Sequence, residues 1–471
     1  MLNKIFNFQA KTITLSALIL GGSYFFSAVL GLIRDGLLVS KFGASSELDV
    51  YFAAFRIPDF IYNILILGGL VVAFLPLFSE YFSRNKNEAW EMVNHVLNAF
   101  LFLLIFASLI LFISTPWLIK LLFPGFEPAQ EKLVIPLVQL LFLSPIFFGI
   151  SNLLSGILQY FNRFFVYGLT PIFYNLGIIF GILILAPKFG ILGVAMGVIL
   201  GAFLHMAIQI PSVRNCGFSY RFLFNFKYPA IKRIFNLMIP RVFGIAAQQI
   251  NLIIITALAS TLFTGAITIF NFSNNLQSLP VGLIGISFAV ATFPALTRAW
   301  AEQKKEEFFK NFSLVLRQTL FLIIPISLFV FIFKTPIIKI IVEIGRVVLG
   351  TTRFGALEIN LAAACLGIFS FSIFAQSLIP LFLRAFFSWQ DTKTPTKITI
   401  LTVALNIILA FSFTHFLKEP NLFTNFIKNS FHLAGIDNIS IIGLPLAFSI
   451  SAIFQFLLLF FIFRQRTKTI G

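Results

Sequence analysis

Charge is the scarcest property of this sequence. Only 11% of its 471 residues are Asp, Glu, Lys or Arg, and 59% are hydrophobic, whereas an ordinary soluble chain carries about 25% charged residues. No water-soluble fold hides that much apolar surface, so a soluble enzyme, a disordered chain and a secreted scaffold are excluded. Cysteine is nearly absent: Cys216 and Cys365 stand far apart, with none of the dense spacing of a disulfide or metal framework. The four histidines, His95, His205, His415 and His432, lie in separate segments with no two at ligand spacing, so the sequence calls for no metal and no cofactor. Acids number 17 against 34 bases, and only Asp35, Asp59 and Glu80 approach the apolar segments. That leaves too little for the paired acid and base of a membrane glycosyltransferase, and the chain reads as a non-enzyme. The formal charge of +17 sits between apolar segments rather than on a water-exposed face shared with aromatics, which excludes a nucleic-acid partner.

What the chain has in abundance is long apolar runs. At roughly 20 residues per crossing, twelve spans are expected over 12–33, 55–79, 95–118, 133–158, 168–186, 190–211, 236–263, 266–296, 312–333, 360–384, 396–416 and 441–463. The fold class is an all-α polytopic membrane protein. The first run is long enough to span and is followed by others, so it reads as an uncleaved helix rather than a signal peptide. An even number of spans returns both termini to one side, and 21 of the Lys and Arg residues fall in segments on that side against 10 on the other. The basic side is the cytoplasmic one.

The two halves resemble each other. "GGLVVAFLPLFSEYF" at 68–82 in the second span matches "GISFAVATFPALTRAW" at 285–300 in the eighth, aligning Pro76 with Pro294, and "ILGVAMGVILGAFLHM" from 191 matches "IIGLPLAFSISAIFQF" from 441. Six spans per half give two lobes of like orientation, the parallel-repeat geometry of rocking transporters. The expected organisation is an N-terminal lobe over 1–211, a cytoplasmic amphipathic connector over 212–233 and a C-terminal lobe over 234–471. Gly193, Gly197 and Gly201 are spaced for close helix packing, not for a phosphate loop.

Charged residues at membrane depth carry the most information, because each costs about 2.5–3.5 kcal/mol at a helix centre. Arg34 and Asp35 are expected to close the first span, Arg56 and Asp59 to open the second, and Arg241 follows Pro240 early in the seventh. Three arginines facing a gap between lobes form an anion trap suited to diphosphate, since the planar guanidinium donates forked hydrogen bonds and stays ionised. The same positions also fit side chains that snorkel to the interface, and Asp59 after Pro58 also fits a helix cap. In the second lobe Gln248, Gln249 and Asn251 in the seventh span and Asn271, Ser273, Asn274, Asn275 and Gln277 in the eighth either line the same cleft or hold helices together.

At these residues the chain resembles the MurJ (MviN) family of lipid II flippases. The resemblance rests on "GLIRDGLLVSKFG" at 31–43, "AFRIPDF" and "GGLVVAFLPLFSEY" within 54–81, "LLSGILQYFNRF" and "TPIFYNL" within 153–176, "FNFSNNLQSLPVGLIGISFAVATFPALT" at 270–297 and "RAFFSWQDTKTPTKI" at 384–398. It implies a V-shaped two-lobed bundle with a cationic central cavity. The implied activity is carriage of lipid II, a polyprenyl-diphosphate-linked saccharide, from the cytoplasmic to the outer leaflet of a bacterial inner membrane by a monomer. Arg34, Asp35 and Arg56 match cavity positions of the family, and Arg241, Gln249, Asn251, Asn274 and Asn275 complete the expected substrate site. The alternatives are export of another polyprenyl-linked saccharide or amphiphile, and a scaffold without transport. The chain departs from the family pattern at Asn275, where an arginine is usual, and at Leu67, where a glutamate is usual. It also lacks the acidic groups of a sodium site in the seventh and eleventh spans, and it shows twelve spans in place of fourteen.

Overall fold

The structure is a computed structural model that describes Gln9 and residues 13–470. No strand occurs among these residues. In hydrocarbon every backbone N–H and C=O must find its partner within the chain, and a helix does this without help from neighbours.

Helix α1 covers Ile13–Phe42. Eleven further helices are long and apolar enough to cross a membrane: α2 Ser46–Arg84, α3 Lys86–Leu122, α4 Pro128–Tyr160, α5 Phe164–Phe189, α6 Ile191–Arg214, α7, whose apolar part is Val242–Ser260, α8 Ala266–Ala301, α9 Lys305–Ile332, α11 Ala356–Ser388, α12 Lys393–Phe416 and α14, counted over Ser440–Thr467. They coincide one for one with the second to twelfth expected spans, and α1 occupies the first. α7 as a whole runs Pro229–Ser260, so it starts seven residues before its expected span. Two shorter helices lie in segments expected to be loops, α10 at Lys334–Leu349 and α13 at Leu422–Ser430.

The chain divides into two compact units. The first comprises residues up to Leu38 together with Ser46–Gln249; the second comprises Val39–Ser45 and the chain from Ile250 onward. The short piece 39–45 belongs to the second unit by its contacts: Ser40 Oγ donates to Val342 O at 2.9 Å and Arg353 N donates to Ser40 O at 2.8 Å.

Within the first unit α5 and α6 pack backbone to backbone. A Cβ on Gly197 would lie 2.6 Å from Gly181 Cα, and one on Gly181 would lie 2.7 Å from Gly197 Cα, so only glycine allows this approach. The ends of α2, α3 and α4 are closed by aromatic rings, with Phe78 at 5.3 Å from Trp90 and 5.0 Å from Tyr160. The second unit repeats the device with Phe308, Trp389 and Phe463, the last two rings stacked at 4.9 Å. Its core gathers Phe312, Phe382 and Phe386 with Ala289, Leu378 and Leu459.

The repeat is also visible in backbone irregularity. α2 contains a π-helical stretch at Asn63–Leu70 and α8 one at Val281–Ile286. Each begins 13 residues before the proline of its half, Pro76 or Pro294. A π-turn holds one residue more than an α-turn, so both halves carry the same insertion at the same place.

Candidate functional site

Arg34 and Asp35 do not close a helix. α1 continues to Phe42 because Leu37, Leu38, Val39 and Phe42 are all buried, at 1 to 6% exposure, and packing of that face carries the helix past the charged pair. Arg56 stands where α2 breaks at Phe55 and restarts, with Asp59 N donating to Phe55 O at 2.9 Å. Pro58 explains the restart: it is the third residue of the new helical segment, where the missing N–H has no intrahelical acceptor to lose. Asp59 then sits in the first turn, where a carboxylate is favoured by the helix dipole.

These residues meet in the first unit. Arg34 Nε and Nη2 both donate to Asp35 Oδ1, at 2.9 and 2.8 Å, and Nη1 donates to Asn175 Oδ1 at 3.0 Å. Asn175 is itself fixed: its Nδ2 donates to Ser27 Oγ at 3.1 Å, Ser27 O at 3.2 Å and Pro171 O at 3.1 Å. Neighbouring residues of a helix point in different directions, so the guanidinium folds back to reach Asp35. Three of its five N–H groups are engaged in this way, and the side chain stays 21% exposed. Tyr51 and Tyr174 stand within electrostatic range of both Arg34 and Asp59, and Arg56 within range of Asp59. Asn152 Nδ2 donates to Tyr62 OH at 3.1 Å beside this group. Arg34–Asp35 and Arg56–Asp59 are two opposite-charge pairs in the first unit, with Tyr51 and Tyr174 near both, and their formal charges cancel.

The other expected site residues are placed differently. Arg241 lies in α7, and its side chain is outside the described residues. Gln249, the last residue of the first unit, is half-buried. In the second unit Asn251 is buried and accepts a hydrogen bond from Asn406 Nδ2 at 3.0 Å. Asn274 Oδ1 accepts from Gln277 Nε2 at 3.1 Å, and the Asn275 carbonyl accepts from Ser278 Oγ at 2.7 Å. Gln277 and Gln376 exchange hydrogen bonds at 3.3 and 3.0 Å. Gln376 also donates to Ser372 Oγ, which donates to Ser449 Oγ. This neutral ladder joins α8, α11 and α14.

Several partners are absent from the sequence reading. Asn175, Tyr51 and Tyr174 stand beside the arginine pairs, and Gln376 completes the ladder. Gln376 is an amide in the middle of an apolar span and carried a readable signal; Asn175 carried only its place in "TPIFYNL". His205 is satisfied in the interior, with Ser151 Oγ 2.6 Å from its Nδ1. No group of three or more His, Cys, Asp or Glu is gathered to hold a metal among the described residues.

The family model "Lipid II flippase MurJ" matches residues 38–471. The probable lipid II flippase MurJ of Buchnera aphidicola subsp. Schizaphis graminum is 29% identical over 406 residues, covering 83% of this chain and 76% of the relative. That of Vibrio cholerae is 28% identical over 419 residues, covering 86% and 78%. A solved lipid II flippase MurJ in an inward closed conformation superposes with a TM-score of 0.76 at 25% identity, over 95% of this chain and 87% of that one. An inward-facing multidrug transporter of the MATE family superposes at 0.71 with 17% identity, over 94% and 96%, which is likeness of fold alone. With the family model spanning nearly the whole chain, this protein belongs to the MurJ family.

Proposed function

We propose that this chain is a lipid II flippase, carrying the polyprenyl-diphosphate-linked peptidoglycan precursor from the cytoplasmic to the outer leaflet of a bacterial inner membrane by alternating access. The observation that carries the reading is the two arginine–aspartate pairs inside the first unit of a chain of this family. Arg34 is held in place by Asn175 and Asp35 yet keeps two N–H groups for a further acceptor. A diphosphate presents pairs of phosphate oxygens that the planar guanidinium fork matches.

In this reading Asp35 and Asp59 are resident counter-ions. They neutralise the guanidiniums at membrane depth, where an unpaired charge is costly. An incoming diphosphate exchanges with them, so the charged contacts are swapped rather than created. Arg241, Gln249, Asn251, Asn274 and Asn275 are assigned to the saccharide headgroup. No covalent step is needed, and the reaction class is transport. The lobes are assigned to 1–211 and 234–471 with 212–233 as the cytoplasmic connector, and the carrier acts as a monomer with both termini in the cytoplasm.

The test replaces the resident flippase of a depletion strain with this chain and scores growth and outer-leaflet lipid II. Growth with normal outer-leaflet lipid II is expected. A chain that inserts and is expressed yet leaves lipid II inside overturns the reading.

A further inference from the structure

Between residues 215 and 228 the chain that joins α6 to α7 is not helical. Its aromatic residues fall at every second position, Phe218, Tyr220, Phe222, Phe224, Phe226 and Tyr228, which is the side-chain period of an extended chain. Two asparagines one turn apart on α3 hold this strap. Asn94 Nδ2 donates to Ser219 O at 3.2 Å, and Asn94 Oδ1 accepts from Arg221 N at 2.8 Å. Asn98 Nδ2 donates to the carbonyls of Arg221 and Leu223 at 3.2 and 3.0 Å, and its Oδ1 accepts from Tyr220 OH at 2.9 Å. Both asparagines are buried, at 1% and 4% exposure. A carboxamide offers one acceptor and two donors, so each stands in for a neighbouring strand and satisfies the strap's backbone on that side.

Phe218 is buried against Trp90 and Tyr220 reaches back to Asn98 through its hydroxyl, while the rings from Tyr220 to Phe226 lie at the surface. Phe222 is 76% exposed and Tyr220 56%, with Phe224 and Phe226 also on the surface. The depth of the strap follows from α3. One face of that helix exposes Phe102, Ile105, Leu109, Ile113 and Leu121. At about 1.5 Å per residue this face is about 28 Å long, close to the roughly 30 Å hydrocarbon layer. Phe102 marks one end of it, and its ring lies 5.5 Å from that of Phe224 and 5.7 Å from that of Phe226. The strap therefore continues the apolar face of α3 at the level where hydrocarbon gives way to headgroups. Residues 212–233 contain no acid, and Arg214, Arg221, Lys227 and Lys232 are all exposed.

We propose that the strap is a lipid-anchoring element: its rings seat at the boundary between headgroups and acyl chains, and its basic residues engage the phosphates of anionic phospholipid. Tyr220 suits that boundary because its ring joins an apolar body to a polar tip, and phenylalanines beside basic residues bury into the headgroup–acyl boundary in interfacial elements. Lys and Arg beside it gain from a negatively charged surface. A strap exposing four adjacent rings to water would instead be an unprotected apolar patch.

The test uses the full chain in vesicles of phosphatidylcholine with or without phosphatidylglycerol. An environment-sensitive fluorophore is placed on Phe222→Cys, or on Ser219→Cys on the opposite side of the strap, with Cys216→Ser in both. The label at 222 should be quenched more by a nitroxide near the lipid headgroup than by one near the chain end, and should be shielded from aqueous iodide. The label at 219 should remain open to iodide. Phosphatidylglycerol should strengthen both effects at 222. Arg221→Gln with Lys227→Gln should remove that gain, each charge shifting the seated-to-free ratio about fivefold. Equal iodide quenching at 219 and 222, or no lipid quenching at 222, overturns the anchoring. Seating that is indifferent to phosphatidylglycerol overturns the headgroup assignment. The unfolding midpoint is the control on folding, and because the assay reads depth and not transport, its outcome is independent of whether the chain flips lipid II.

Discussion

The chain leaves α4 through Asn162, at φ 57°, and leaves α11 through Gln390, at φ 59°. Both turns use the same backbone closure: Arg163 N donates to Leu158 O at 2.8 Å, and Asp391 N donates to Phe386 O at 3.0 Å, the six-to-one bond of a Schellman cap. Each turn is then tied to the end of the sixth span of its own unit, but the tie differs. In the first unit Arg163 in the turn donates to Ser212 O at 2.9 Å and Asn215 O at 3.3 Å at the end of α6. In the second unit Asp391 in the turn pairs with Arg466 on α14 at 2.6 Å. The backbone device has been kept while the chemistry of the contact has been reversed. The interiors differ in a parallel way: the first unit sets half-buried Arg34 and Arg56 beside buried Asp35 and half-buried Asp59, and the second buries Gln277, Asn251 and Asn406 with serines around half-buried Gln376. In the proposed reading the ionic groups of the first unit exchange partners with the diphosphate, whereas Gln277 and Gln376 of the second unit join helices through neutral hydrogen bonds.

The contrast predicts where function breaks. Arg34→Ala or Arg56→Ala should abolish complementation with expression intact, because each charge-assisted contact to phosphate is worth about 1.5–3 kcal/mol. Lysine at either position should rescue poorly, since it cannot fork. Normal growth of Arg56→Ala in the depletion strain would remove that residue from the site.

A second test concerns the driving force. α7 and α12 contain no acidic residue, and a hard cation needs charged oxygen ligands to bind tightly. Transport should therefore survive replacement of sodium by choline. It should collapse when the membrane potential is clamped to zero, as the potential is worth about 2.3 kcal/mol per charge per 100 mV. Sodium dependence at constant potential would move the coupling into the neutral unit and reverse the assignment.

In that neutral unit, Gln376→Leu should cost stability and not transport. Interhelical hydrogen bonds in membranes are worth about 0.6 kcal/mol on average and up to about 1.7, so the unfolding midpoint in detergent should fall modestly while growth is kept. Loss of flipping at unchanged stability would give the ladder a share in the substrate site.

The smallest effect belongs to Asp391. Burial pushes its carboxyl up, but hydrogen bonds from Thr394 and Arg466 outweigh this and hold it below the usual carboxylate range. A depressed carboxyl stabilises the fold at every pH above its unfolded value of about 4 and loses that contribution as pH falls through the folded one. Asp391→Asn should lower stability by less than about 1 kcal/mol, the pair being partly exposed. It should also flatten the acid limb of a pH–stability curve while leaving the range from about pH 5 to 8 parallel to wild type.

The spans were readable because hydropathy registers a run of 20 apolar residues whatever packs against it. α10 was not, since its buried Ile338, Ile341, Val342 and Gly345 alternate with Lys339, Glu343 and Arg346 in a stretch too short to cross. Arg34 stood out as a charge at membrane depth, but its helical setting did not, because the buried Leu37 to Phe42 face that extends α1 is visible only in three dimensions. The partner Asn175 is 141 residues away from Arg34 and Gln376 is 99 from Gln277. Local pattern carries no information about such pairs, so residue types at the site were legible and their partners were not.

The matching π-turns of α2 and α8 bear on how the chain tolerates length changes. Removing one residue from an ordinary helix turns everything beyond it by about 100°. Such a loss near Ala73 would swing Phe78, now fully buried, out of the core. Within 63–70 or 281–286 the surplus residue is already absorbed by widening, so deleting one there restores an ordinary turn and leaves the phase of both flanking segments unchanged. Those two stretches, and the unpaired π-turn at Gly181–Leu185 in α5, are places inside spanning helices where the sequence can shorten by a residue without re-facing the rest of the span.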